Sequence, residues 1–413
     1  MIYTIGEYMR ILSNCYFIVC IALFFSFLLY CFQFSGIYPD VSGILLLFIL
    51  GSCGVFLFMG CVMNPVIRTW FRNSKNAIAN EQNNFRFSYK PIIMIVLFFV
   101  VEVLYNGEIP LVEMIRGNLY DYRDFTFPGV HVIFTSLTTF YCIKSYFDYL
   151  IYRKKRSFIA STVCLCLFML LMYRSYIVFC ILNFLFLFVL YRKISFKKIA
   201  KITASALLLM YVFGLAGDLR TKAQTGDENF TVENIMRATE ADSVFTLQQS
   251  LSPLYWAYLY ISSPMANFQN TINEYENHRE ESGGLKFVVY EVLPDVVGKR
   301  VATLFGYDEE NSPLARVIDF LTVGTIFADS FVFIGWYGPI IMLMLMIATP
   351  LFFLQMCTKD SFFYVQFSIC TILLVLCTFS NMLVYASLSL MLFYPLLSKK
   401  RRKNTQLINS GMK

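Results

Sequence analysis

The chain has 413 residues, of which 58% are hydrophobic and only 15% are charged. Soluble globular domains run near 45–50% apolar and about 25% charged, so this composition excludes an ordinary soluble enzyme. The net charge of +7 does not indicate nucleic-acid binding, because the basic residues sit in short segments between apolar runs, as cytoplasmic loops do in inner-membrane proteins.

In chain order, apolar runs predict membrane spans at 16–34, 43–63, 91–107, 127–149, 158–172, 176–190, 199–217, 331–355, 362–378 and 381–397. Most approach the ~20 residues needed to cross hydrocarbon. The runs 158–172 and 176–190 are short and read as two spans or as a helical hairpin with Tyr173, Arg174 and Ser175 at its tip. The first run has no clear small-residue cleavage site after it, so it reads as a retained helix and not as a signal peptide.

Loop charges set the orientation. Arg68 to Lys90, Arg153 to Arg156, Arg192 to Lys201 and the tail Lys399 to Lys403 share one side only if both termini are cytoplasmic. The expected fold is therefore all-α and polytopic, with about ten transmembrane helices and one large helical loop on the outer, periplasmic side. Four units follow: a transmembrane bundle over 1–217, a loop domain over 218–330, further membrane helices over 331–398 and a basic cytoplasmic tail over 399–413. The run 251–268 within the loop domain is expected to lie in the membrane interface. The 12 Cys fall almost entirely in apolar runs and read as small packing residues, not as a disulfide framework or a metal site.

No phosphate-binding glycine loop and no paired-histidine zinc pattern occurs, and only His131 and His278 are present. No cofactor and no metal site is expected. His131 stands where a helix begins, as a general base near neutral pH would, or as an interfacial hydrogen-bonding residue. Glu113 and Asp121 are further acid–base candidates on the outer side. Glu102 lies inside an apolar run, where a carboxylate is costly, so it is either functional or the partner of an arginine. Arg116, Arg123, Arg174 and Arg220 gather on the outer side, suited to a pyrophosphate or to snorkelling at the interface. The aromatic cluster Tyr255 to Tyr260 fits a sugar-stacking groove or an interfacial belt.

Several segments together resemble the bacterial O-antigen polymerase (Wzy-type) family of oligosaccharide repeat-unit polymerases. They are Gly107 to Leu111 followed by Arg123 and Pro128 to His131; Gly217 to Arg220; Tyr258 to Asn267; and Leu321 to Thr325 followed by Gly335 to Pro339. The resemblance implies a GT-C-like, metal-independent glycosyltransferase of the bacterial inner membrane. It would join polyprenyl-pyrophosphate-linked repeat units on the periplasmic face to make O-antigen or a related polysaccharide. By position, Arg123, Arg174 and Arg220 would grip the pyrophosphates. Arg316, Tyr258 and Asn267 are added as substrate contacts. Expected partners are the lipid-linked oligosaccharide as donor and acceptor, membrane lipid and a chain-length regulator protein, with no nucleic acid. An O-antigen ligase or a lipid-linked oligosaccharide flippase remain the alternatives.

Overall fold

A computed structural model describes residues 11–82, 85–116, 125, 127, 129–192, 201, 232–247, 252–275, 283–307, 314–358 and 360–395. Among them every regular element is helical, with one isolated bridge between Ser35 and Ala241. The N-terminal pair is α1 (Cys15–Cys31) and α2 (Gly43–Glu81). Asn14 caps α1 by accepting from the Tyr16 N–H, and its own Nδ2 donates to the Gly60 carbonyl at 2.8 Å. Gly60 has to be glycine there, because a Cβ would lie 2.3 Å from the Phe17 ring. Helix α2 is 39 residues long, about 58 Å at 1.5 Å per residue. The basic stretch expected as a loop after 63 is thus largely its continuation.

Next come α3 (Lys90–Asn106), the short α4 (Pro110–Ile115), α5 (Val130–Tyr152), α6 (Lys155–Leu170) and α7 (Arg174–Tyr191). The last two pack on α5 and are joined by a turn in which Met172 takes φ +60°. The two short runs expected on either side of Arg174 are therefore helices of 16 and 18 residues joined by a tight turn. Beyond it lie α8 (Val232–Ala238), α9 (Ser243–Thr246), α10 (Ser252–Tyr275) and α11 (Gly283–Phe287) with a π-helical turn Val288–Val292, then α12 (Asp295–Leu304). The predicted span 199–217, apart from Lys201, lies outside the described residues.

Two expected spans are not single helices. The run 331–355 divides into α13 (Ala328–Ile334) and α14 (Tyr337–Gln355) around Gly335, whose φ of +62° suits glycine. At Gly338 the corner is so tight that a Cβ would stand 2.0 Å from the Ser330 carbonyl oxygen. The run 381–397 follows α15 (Phe363–Leu376) as irregular chain, a single turn α16 (Ala386–Ser389) and a 3-10 turn. Apolarity forecast a helix, but the backbone here finds partners elsewhere: Asp295 N–H donates to Val384 O at 2.8 Å, and Ala386 N–H to the Asp295 carboxylate at 3.0 Å. Irregular backbone at membrane depth is tolerated where protein satisfies it.

A third correction concerns 251–268. This segment belongs to α10, and no residue from 253 to 272 is exposed. It packs against α1 and α13 as a central helix and does not lie in an interface. Ser26 Oγ on α1 donates to the Ile261 carbonyl at 2.6 Å, and Tyr38 and Ser262 hydroxyls pair at 3.0 Å. Elsewhere, Ser368 on α15 donates to Asn183 on α7 at 2.6 Å.

Outward-facing Leu47, Phe58, Leu97, Leu104 and Met344 are each more than half exposed. Apolar surface on this scale requires lipid, so the chain is membrane-embedded. Among the described residues, α2, α7 and α14 are long and apolar enough to cross a membrane alone, and α1 and α15 are shorter apolar helices. All 12 cysteines are free, and nine of them are buried.

Candidate functional site

Three polar side chains meet at one end of α5. The first is Glu102, fully buried on α3 near its C-terminal end, where Gly107 at φ +76° stops the helix. A buried carboxylate needs a partner, since transfer of an isolated charge from water is prohibitive. That partner is His131, the second residue of α5, whose Nδ1 lies 3.1 and 3.0 Å from the two Glu102 carboxylate oxygens. Gly129 at φ +78° turns the chain into α5, and the His131 N–H donates to the Phe127 carbonyl. Tyr173, the residue before α7, completes the line: its hydroxyl is 3.0 Å from His131 Nε2 and 3.3 Å from the Phe125 carbonyl.

The contacts fix roles. With a neutral imidazole, Nδ1–H donates to Glu102 and Nε2 accepts from the Tyr173 hydroxyl. On protonation both ring nitrogens donate, and Tyr173 turns its hydrogen to Phe125 O. In either state Glu102 faces Nδ1 and the Tyr173 hydroxyl faces Nε2. The imidazole is 15% exposed, against 0% for the carboxylate. Arg174 opens α7 directly after Tyr173 and is exposed.

A second polar group comes from the irregular segments. Glu291, in the π-helical turn, accepts from Asn381 Nδ2 at 2.9 Å. Burial and the neighbouring Asp329 carboxylate push its carboxyl well above the usual range.

Other sequence-derived candidates part from these. Glu113 is buried on α4, with Arg116 Nη1 at 2.7 Å from its carboxylate. Tyr258 is only 5% exposed, accepts from the Phe34 N–H at 3.0 Å and stacks with Tyr255 and Tyr38. Asn267 is occupied by the protein's own backbone. Its Nδ2 donates to Leu321 O and Val323 O at 2.7 and 2.8 Å, and its Oδ1 accepts from Val317 N–H at 2.9 Å. Arg316 is half-buried between Ala315 and Val317, whose backbone N–H groups donate to Thr271 and Asn267 of α10. Asp121, Arg123 and Arg220 lie outside the described residues. Sequence reasoning missed Tyr173 as a functional group; its place beside Arg174 in a polar tip between two apolar runs was the available signal. Among the described residues no set of three side chains is arranged to hold a metal ion.

The family model described as "Putative O-antigen polymerase" matches residues 11–260. That stretch contains Glu102, His131, Tyr173 and Arg174. No curated protein and no solved structure matches the chain.

Proposed function

Because the chain belongs to the O-antigen polymerase family, we propose that the Glu102–His131–Tyr173 line is the acid–base centre of a glycosyltransferase that polymerises lipid-linked repeat units. The family itself implies a glycosyltransferase-type enzyme acting in O-antigen polymerisation on lipid-linked oligosaccharides. The finer reading is that the donor and acceptor are polyprenyl-pyrophosphate-linked. They react on the periplasmic face of an inner-membrane bundle of about ten spans with both termini cytoplasmic.

The reaction needs a base, a leaving-group stabiliser and no nucleotide, since a polyprenyl pyrophosphate is already activated. His131 Nε2 takes the proton of the acceptor sugar hydroxyl as its oxygen attacks the donor anomeric carbon. The bond from that carbon to the pyrophosphate breaks, and arginine receives the departing charge. In the free protein the Tyr173 hydroxyl occupies the place of the acceptor hydroxyl, at hydrogen-bond distance from Nε2, and Phe125 O offers it an alternative partner. The observation that carries this reading is Glu102 buried against Nδ1 of a histidine whose side chain keeps 15% exposure and whose Nε2 meets a hydroxyl. Tyr173→Phe is then expected to retain polymerisation within about tenfold, because a stand-in is dispensable where a base is not. Loss as complete as that of His131→Ala, measured as chain-length distribution at equal protein level, would instead make Tyr173 the reacting group.

Arg174 is assigned to the pyrophosphate, with Arg123, Arg220 and Arg316 as further grips. Deletion of the gene should leave surface polysaccharide one repeat unit long on a gel. Complementation with Arg174→Ala should restore polymer roughly 10- to 100-fold less well, the loss expected for a hydrogen bond to a charged group. Arg174→Lys should recover part of it, since lysine keeps the charge without the bidentate fork. An unaltered ladder in the deletion strain sinks the reading, and loss of all attached glycan transfers it to a ligase.

A further inference from the structure

Glu81, Phe85, Arg86, Lys144, Asp148 and Phe362 line a cavity of about 570 Å³, within the roughly 300–1,000 Å³ of small-ligand sites. It is remote from the acid–base line. Lys144 follows His131 by thirteen positions on α5, about 20 Å along the axis at 1.5 Å per residue. Its walls are the last turn of α2, the stretch leading into α3, the second half of α5 and the start of α15.

The lining combines both signs of charge with aromatic sides. Lys144 Nζ is ion-paired with Asp148 and sits 5.5 Å from the centroid of the Phe362 ring. Phe85 and Tyr152 stack at 3.9 Å on the same wall. Two cations face two carboxylates, so the cavity has no net charge and gives a simple anion no advantage over a zwitterion. Its level in the bilayer is marked by neighbouring aromatic–basic pairs: Arg156 lies 5.7 Å from the centre of the Tyr89 ring, and Arg153 lies 5.6 Å from that of Tyr149. Such pairs belong to the headgroup layer. Phe85 and Arg86 lead directly into α3, whose Ile93, Met94 and Leu97 are exposed and offer an apolar bed beside the cavity.

We propose that this cavity binds a phosphoethanolamine zwitterion, the phosphate against Arg86 and Lys144 and the ammonium against Glu81 and Asp148. A membrane phospholipid supplies this headgroup with its acyl chains on α3, and a free phosphoethanolamine supplies it alone. The two cations match a phosphate, and the two carboxylates match an ammonium a few ångströms away.

The test uses the full chain purified in detergent, with dihexanoyl phosphatidylethanolamine, dihexanoyl phosphatidylglycerol and O-phosphoethanolamine as probes. Native mass spectrometry reads retention, and thermal melting reads stabilisation. Phosphatidylethanolamine should bind about tenfold tighter than phosphatidylglycerol, the worth of one charge-assisted contact. The preference should fall towards unity in Arg86→Ala, an exposed position whose loss spares the fold. Lys144→Gln, checked for an intact melting transition, provides a second reading. Binding of the short-chain lipid without O-phosphoethanolamine supports the site and assigns it to the membrane. Binding of both supports the site and assigns it to the free zwitterion. Equal binding of the two lipids, or a preference unchanged in both variants, overturns the proposal.

Discussion

Glu102→Gln is expected to lower polymer formation by about 10²-fold or more while leaving the protein folded, because glutamine keeps the shape but removes the charge that balances a histidinium. The His131 Nδ1–H can still donate to the new amide oxygen, so packing between α3 and α5 survives. What is lost is the partner that makes protonation of the imidazole affordable inside a buried site. His131→Ala should cost roughly 10²- to 10⁴-fold, the span typical of a removed general base. The informative variant is the double one. Groups that act as a unit are strongly non-additive, so Glu102→Gln should add almost nothing once His131 is gone. Chain-length distributions from the single and double variants, at matched membrane abundance, check this. Full additivity would mean that Glu102 works elsewhere, and an unchanged distribution in Glu102→Gln would remove it from the chemistry.

The second large effect is on stability. Asn267→Ala is expected to destabilise the protein by roughly 3–5 kcal/mol, since it strips partners from several buried backbone groups at once. The Asn267 side chain is fully buried, and it bonds the backbone of Val317, Leu321 and Val323. Each orphaned group left without water costs about 1–3 kcal/mol. The readout is membrane abundance and a lowered melting temperature. A substrate contact would behave differently: a stable protein with weakened substrate affinity would restore Asn267 to the binding site. Asn267→Asp should fall between the two, keeping the acceptor for Val317 and losing both donations.

How far the sequence foretells this molecule depends on whether a residue's partner is local. Glu102 stands out as a carboxylate inside an apolar run, and His131 as one of two histidines. Their meeting across 29 positions is set by how α3 packs on α5 and leaves no mark in spacing. The engagement of Tyr258 and Asn267 by distant backbone is unmarked in spacing for the same reason. Polar side chains in a recognisable segment invite a functional reading, yet here their partners are the backbone near Phe34 and the loop at 317–323. Hydropathy placed most helices within a few residues, because burial in lipid or protein demands an apolar run of helical length. It misread 381–397 because the same composition serves irregular chain when distant groups, here Asp295 and Glu291, satisfy the backbone and side chains. The breaks at Gly335 and after Leu376 are tertiary decisions. The run 251–268 reads as interfacial in sequence, whereas α10 is not exposed from 253 to 272, and Ser262, Asn267 and Gln269 find partners within the bundle.

The order in which these helices leave the ribosome matters for how the protein is made. Glu102, His131 and Tyr173 all lie before the end of α7, and α3, α6 and α7 each pack on α5. The acid–base line can therefore assemble from nascent chain alone. Helix α1 is in a different position: its partner α10 ends 84 residues after α7 does, an interval of roughly several seconds at ordinary synthesis rates. Throughout that interval the polar face of α1 and the following turn, with Ser26, Ser35 and Tyr38, waits for Ile261, Thr239 and Ser262. Helix α1 can pack on α2 at once, but its polar contacts are completed only when α10 has been made.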